Sequence, residues 1–163
     1  KTRFKTASGL TLVADMAGPE NGQPVILLHG GGQTRHSWSK ALSELAAAGY
    51  KVISPDLRGH GESQWCPEGR YTLDDYMVDL GLIMGTLVSS PILVGASLGG
   101  VVSLVGLGEQ QLPPARALVL VDVVPRMESA GVKEIIDFMS ANSGGFVSID
   151  GLYPVNGGCT GFH

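Results

Sequence analysis

The sequence predicts an α/β fold, a mostly parallel sheet of about six strands with helices on both faces, and three observations support that expectation. Strand and helix signals alternate from residue 24 onward, as βαβ units require. Pro24-Val25-Ile26-Leu27-Leu28 is an unbroken apolar run, which suits a strand covered on both sides. Glycines then gather at Gly30 to Gly32, Gly59 to Gly61 and Gly95 to Gly100, each group after an expected strand. Glycine suits such junctions because the chain turns sharply there and a Cβ would meet neighbouring backbone.

Taken in order, Arg3 to Thr6 and Leu10 to Ala17 read as an antiparallel hairpin around Ser8-Gly9, followed by a polar turn from Pro19 to Gln23. The apolar strand 24–28 ends in His29-Gly30-Gly31-Gly32. Ser37 is a candidate N-cap for a helix through Ala48, with Trp38, Leu42 and Leu45 on one face and Gly49 as its stop. Lys51 to Ser54 is another strand and leads into Pro55-Asp56-Leu57-Arg58-Gly59-His60-Gly61-Glu62-Ser63. Thr72 can cap a helix through about Leu87, since Tyr76, Leu80, Ile83 and Leu87 recur at helical spacing.

Pro91 to Val94 is the next strand, and Leu98 to about Gln110 the helix after it. Arg116 to Val121 is a further strand that ends at Asp122. Val132, Ile135, Ile136 and Met139 fall at i, i+3, i+4 and i+7, which predicts a modest helix over 129–140. From Ser143 to His163 there are six glycines and no sustained period, so an irregular tail is expected.

The 163 residues suffice for one domain with a real core. Charged residues make up only 16% of the chain, against a typical quarter, while the 44% apolar fraction is ordinary. A net charge of −4 and a pI near 5.5 argue against nucleic acid or an anionic membrane as partner. Cys66 and Cys159 fit no redox or metal spacing, and no signal-peptide pattern or run of eighteen apolar residues occurs. These features predict a reduced cytoplasmic protein that uses neither a metal nor an organic cofactor.

Chemistry concentrates at Gly95-x-Ser97-x-Gly99. A serine hydroxyl is a weak nucleophile unless the fold exposes it beside a base and near backbone N–H donors, and a strand-to-helix turn of this composition does that. The competing reading is a small residue in a tight turn. The helix that follows also points its N-terminus at the turn, which favours developing negative charge. The loop Gly30 to Gly32 invites a phosphate reading, but Arg35 stands where a dinucleotide fingerprint needs its third glycine, and no P-loop lysine follows.

Together, His29-Gly30-Gly31-Gly32, Asp56-x-Arg58-Gly59-His60-Gly61-x-Ser63 and Gly95-x-Ser97-x-Gly99, each after a strand, resemble the α/β-hydrolase family, nearest its esterase, lactonase and epoxide-hydrolase-like branch. The resemblance covers roughly residues 3–150. It implies that Ser97 is the nucleophile and that the backbone N–H groups of Gly31 and Leu98 hold the oxyanion. It also implies that Asp56, Arg58 and His60 form a structural loop braced by an Asp–Arg pair, with His36 on the surface. Asp122 is either the acid that orients a histidine or a structural carboxylate. Epoxide opening in this fold uses an aspartate where Ser97 stands, which disfavours that activity.

The family order is nucleophile, acid, then a histidine near the C-terminus. None of the four histidines here matches that last position, and His29 is taken as the candidate base because it is nearest the oxyanion loop. The expected organisation is a hydrolase core over 1–125, a remnant of a cap segment over 126–150 and an irregular Gly-rich tail over 151–163. That is a C-terminally truncated core without its last two strands. A bare sheet edge at the Arg116 to Val121 strand invites pairing with a second copy, so a homo-oligomer is expected. The expected activity is hydrolysis of a small-molecule acyl substrate: an ester, a lactone or an amide, including a strained lactam. The alternative is an inactive remnant that binds a ligand or a protein.

Overall fold

A six-stranded sheet carries the molecule, and its strand order explains where a site can form. The computed structural model describes residues 1–123, which make one compact unit. The expected helix over 129–140, the cap remnant over 126–150 and the tail over 151–163 lie outside the described residues.

The strands are β1 (Thr2–Lys5), β2 (Thr11–Ala17), β3 (Pro24–Leu28), β4 (Lys51–Pro55), β5 (Ile92–Ala96) and β6 (Ala117–Val121), in the spatial order β1-β2-β4-β3-β5-β6. The first two form the predicted antiparallel hairpin, and β2 joins β4 antiparallel. The other pairings, β4 with β3, β3 with β5 and β5 with β6, are parallel. Among the described residues β6 pairs with β5 alone, and Val119 and Val121 on it are exposed.

The helices are α1 (Ser39–Ala47), α2 (Leu73–Gly85) and α3 (Leu98–Gly108). Parallel crossovers are right-handed, so a connection that steps from β3 to β4 and one that steps back from β4 to β5 must lie on opposite faces. The core follows that rule. Val25, Leu27 and Val52 meet Trp38, Leu42 and Leu45 of the α1 side, while Ile26, Leu28, Ile53 and Leu93 meet Tyr76, Leu80, Ile83 and Val102 of α2 and α3. Alternate residues of β3 thus serve two cores, which is why the run has no polar member.

Two helix starts separate expectation from outcome. Thr72 caps α2 as expected and forms a full capping box with Asp75, satisfying N–H groups at both ends of the turn. Ser37 does not cap α1. It lies inside a 3₁₀ turn, Arg35–Trp38, and the α-helix begins only at Ser39. The tighter turn swings Arg35 inward, where it becomes nearly fully buried.

Reversal of strand order at β3 leaves β3 and β5 neighbours whose connections leave in opposite directions. Open α/β sheets form their ligand crevice at the carboxyl ends of such strands. Here those ends are His29 to Thr34 after β3 and Ser97 after β5.

Candidate active site

Ser97 joins β5 to α3 with φ 44° and ψ −113°, a conformation that L-residues rarely adopt. Two backbone hydrogen bonds hold it there. Its N–H donates to the Val121 carbonyl at 3.1 Å, and its own carbonyl accepts from Val101 N–H at 2.9 Å. Gly95 lets β5 close on the start of α3, and Gly99 lets α3 close on the end of β3. A Cβ on Gly95 would lie 2.5 Å from Gly100 N, and one on Gly99 would lie 2.7 Å from the Leu28 carbonyl oxygen. The spacing Gly-x-Ser-x-Gly is therefore a steric demand of this turn, and its product is an exposed serine side chain.

The loop after β3 runs directly over it. A Cβ on Gly30 would stand 3.3 Å from Ser97 Cβ, so the two turns are in van der Waals contact. Gly30 N–H donates to Gln33 Oε1 at 3.0 Å, and Gly32 N–H donates to His60 Nε2 at 3.1 Å. Gly31 N–H and Leu98 N–H, the first of α3, have no partner among the described residues. Two unspent backbone donors thus lie on the loops that flank an exposed hydroxyl, and such donors are worth about 3–4 kcal/mol of barrier each when aimed at an oxyanion.

His29 does not serve as the base. It is fully buried, its Nε2 accepts the Leu57 N–H at 3.0 Å, and its Nδ1 lies 2.7 Å from the Gly30 carbonyl oxygen. An accepting Nε2 leaves the proton on Nδ1, so both nitrogens are spent on backbone. Because a peptide unit is planar, fixing the Gly30 carbonyl also fixes the direction of the Gly31 N–H on the same plane. His29 is thus a scaffold for the loop that the sequence reading made its neighbour in function.

Burial pushes the His29 imidazole below its ordinary pKa. The hydrogen bond to Gly30 and the charge of Asp56 oppose the shift, while His60 adds to it. The unfolded chain then binds a proton near pH 6.5 that the folded chain refuses. The stabilisation from neutral His29 is complete above that pH and is lost as pH falls through the lower folded value. Thermal melts from pH 8 to 5.5 should show a falling Tm, with a shallower slope in His29→Gln; equal slopes would refute the assignment.

The loop after β4 is braced by two Asp–Arg pairs, and in both the partner comes from elsewhere in the chain. Asp56, fully buried, accepts from Arg35 N–H at 2.7 Å, Arg35 Nη1 at 2.5 Å and Glu62 N–H at 2.9 Å. Arg58 is bidentate to Asp79, at 2.7 Å through both Nε and Nη2, and reaches Asp75 at 3.1 Å. Burial alone would lower the Arg35 pKa, but hydrogen bonds to Glu62, Asp56 and Asp15 outweigh it and raise it. Glu62, held by Lys1 and Arg35, is drawn down to about 2. His60 donates from Nδ1 to the Arg58 carbonyl at 2.9 Å, which leaves Nε2 free to accept from Gly32.

Arg35 and Asp79 are the residues that sequence reasoning missed. Asp79 did carry a signal: it falls among Tyr76, Leu80 and Ile83 on the apolar stripe of α2, where an acid needs a cationic partner.

Asp122 stands one residue beyond Val121, whose register partner is Ala96, so the sheet sets it beside Ser97. It has φ 54°, which aspartate tolerates better than most residues, and it is exposed. His36 is exposed as expected and lies near Asp15 of β2, three strands from β5. No histidine among residues 1–123 is thus available to Ser97. Among the described residues there is also no metal-ligating cluster and no helix long and apolar enough to cross a membrane.

Comparison with known proteins bears on the family and the fold. The AB hydrolase superfamily protein YfhM of Bacillus subtilis is 36% identical over 109 residues, 63% of this chain and 37% of that protein. Esterase Rv0045c of Mycobacterium tuberculosis is 36% identical over 102 residues, 62% of this chain and 33% of its own length. A solved thermophilic esterase from Thermogutta terrifontis superposes with a TM-score of 0.70 at 31% identity, covering 86% of this chain and 52% of the esterase. The chain therefore spans less than two-fifths of those curated relatives and about half of that structure. The sequence profile of the alpha/beta hydrolase family matches residues 25–158, most of the chain, and the chain belongs to that family.

Proposed function

We propose that the chain is a serine hydrolase of small carboxylic esters, lactones or amides (a strained lactam among them), working through an acyl-serine intermediate. The observation that carries the reading is Ser97, exposed on a positive-φ elbow against Gly30, with the neighbouring N–H groups of Gly31 and Leu98 unpartnered among the described residues. In the first step Ser97 Oγ attacks the acyl carbon, its proton leaves to a base or water, and the carbonyl π electrons move onto oxygen. The two N–H groups and the N-terminus of α3 stabilise that oxyanion. Its collapse expels the alkoxide or amine, which takes up a proton, and water then releases the acid from Ser97.

Asp122 is the proposed acidic partner on the strength of its register beside Ser97. The base is not among residues 1–123. Without one, oxyanion stabilisation and binding still supply about 10³–10⁴ over water.

A second reading has an observation of its own. Both imidazoles near the site, His29 and His60, are spent on backbone, which suits an inactive member that binds a ligand or protein. A fluorophosphonate probe with mass-spectrometric mapping separates the two. Adduct on Ser97 is the expected result, whereas folded protein without adduct would leave only the binding reading.

A further inference from the structure

Gln33 closes the turn of the loop after β3, and both halves of the residue bind Gly30. Its backbone N–H donates to the Gly30 carbonyl at 3.2 Å, and its side-chain Oε1 accepts the Gly30 N–H at 3.0 Å. Two residues on, the Arg35 N–H donates to buried Asp56 at 2.7 Å, and the Arg35 carbonyl accepts from Ser54 Oγ at 3.1 Å. The backbone on either side of Gln33 is therefore fixed, and its carboxamide has a set position.

That position is beside the nucleophile. The point where a Gly30 Cβ would stand is 3.1 Å from Gln33 Oε1, 3.6 Å from Gln33 Cδ and 3.3 Å from Ser97 Cβ. The carboxamide and the elbow thus meet across the space that a side chain at 30 would fill. The hydrogen bond to Gly30 also decides which end of the amide is which. Turned over, the amide would set its NH₂ against the Gly30 N–H, a donor against a donor. Oε1 is therefore the inner atom. Nε2 has no partner among the described residues and belongs to an exposed residue.

We propose that Gln33 is a substrate-specificity residue whose Nε2 donates to an acceptor oxygen close to the scissile carbonyl, on the acyl or the alcohol portion. The proposal rests on the serine-hydrolase reading and narrows its substrate class to acyl compounds with an ether, hydroxyl or carbonyl oxygen near the reacting carbon. The Gly31 and Leu98 N–H groups serve the carbonyl oxygen itself, so this donor is additional to the oxyanion pair. A substrate with an oxygen at that place completes the amide. An apolar isostere covers the N–H without replacing its water, and an amide that cannot turn over has no way to relieve the loss. Discrimination of this kind favours one substrate over another, whereas damage to the loop falls on both.

The test compares the full chain with Gln33→Glu and Gln33→Leu on two isosteric pairs of esters. Glu keeps an oxygen for the Gly30 N–H but has no N–H to offer; Leu removes both functions. The p-nitrophenyl methoxyacetate against the butyrate reads the acyl side, and methoxyethyl acetate against butyl acetate reads the alcohol side. For each pair the ratio of kcat/KM values is divided by the ratio for hydroxide hydrolysis, which removes the intrinsic reactivity of the ether ester. In one pair the wild-type ratio should exceed that of both variants by about 3- to 10-fold. A loss common to both esters in Gln33→Leu reports the grip on Gly30 and cancels in the ratio.

Ratios that agree among the three proteins in both pairs would overturn the proposal, even with Ser97 labelled by fluorophosphonate. If wild type takes no fluorophosphonate and cleaves no ester, the serine reading has failed, and spectra of the ¹⁵N-labelled chain decide for Gln33. Its side-chain amide signal, identified by its loss in Gln33→Glu, should then move with the ether ester of one pair and not with the hydrocarbon partner. An equal response to both members of each pair would overturn the assignment.

Discussion

Ser97→Ala is expected to abolish fluorophosphonate labelling while the protein stays folded, and to lower acyl hydrolysis to the residual of about 10³–10⁴ over water that the oxyanion hole and binding supply without a nucleophile. Loss of a serine nucleophile costs on the order of 10⁶ in kcat where a full triad is present. Here the drop is limited by how far wild type rises above that residual, so loss of the Ser97 adduct is the decisive readout. The fold should tolerate the change because the Ser97 side chain makes no hydrogen bond among the described residues, while its backbone N–H and carbonyl bonds to Val121 and Val101 do not depend on Oγ. Fluorophosphonate labelling that persists in Ser97→Ala would refute the nucleophile.

A companion substitution separates chemistry from strain. The φ of 44° costs a non-glycine residue about 1–3 kcal/mol, which Ser97→Gly relieves. Glycine gives back about 0.5–1 kcal/mol through its freer unfolded chain. Ser97→Gly should therefore melt higher than Ser97→Ala, which retains a Cβ at the same angles. Equal melting temperatures would mean that the elbow stores no strain, leaving the nucleophile question untouched.

Much of this site was readable before any coordinates because short-range sterics write themselves into sequence. The turn around Ser97 needs glycine at 95 because the helix backbone closes on it, and at 99 because the end of β3 does, so five residues announce it. The apolar run 24–28 announced a doubly covered strand for the same reason. What the sequence could not reveal is pairing across long separations.

Asp56 and Arg58 sit two residues apart and read as natural partners. A strand end followed by a turn instead points them in different directions, one to Arg35 and the other to Asp79, each 21 residues away. His29 was misread for a related reason. Position next to the oxyanion loop says where an imidazole is, but not that Leu57 N–H and the Gly30 carbonyl have already taken both nitrogens. Arg35 looked like a mere exception in a glycine pattern, because its burial depends on a 3₁₀ turn that no local signal marks.

Arg35→Met is expected to be the most destabilising single change away from the elbow. Asp56 is fully buried and ionised against Arg35, so removal of the guanidinium leaves a carboxylate without a counter-charge in the interior. Breaking one side of such a pair costs about 3–5 kcal/mol, a large part of the 5–15 kcal/mol that holds a typical domain together. Asp15 and Glu62 would lose the same cation, but both are partly exposed and water replaces much of what they lose.

The double variant Arg35→Met/Asp56→Leu should recover only part of the loss. The Arg35 and Glu62 N–H groups that Asp56 accepts would then be unpaired, and each such buried group costs about 1–3 kcal/mol. Glu20→Ala supplies the contrast, since its ion pair with Lys51 is exposed on the glutamate side and should be worth less than about 1 kcal/mol. Urea midpoints at neutral pH measure all three. A midpoint for Arg35→Met as mild as that of Glu20→Ala would mean that Asp56 is not carried by Arg35. The clasp between the oxyanion loop and the loop after β4 would then have to rest on the two imidazoles alone.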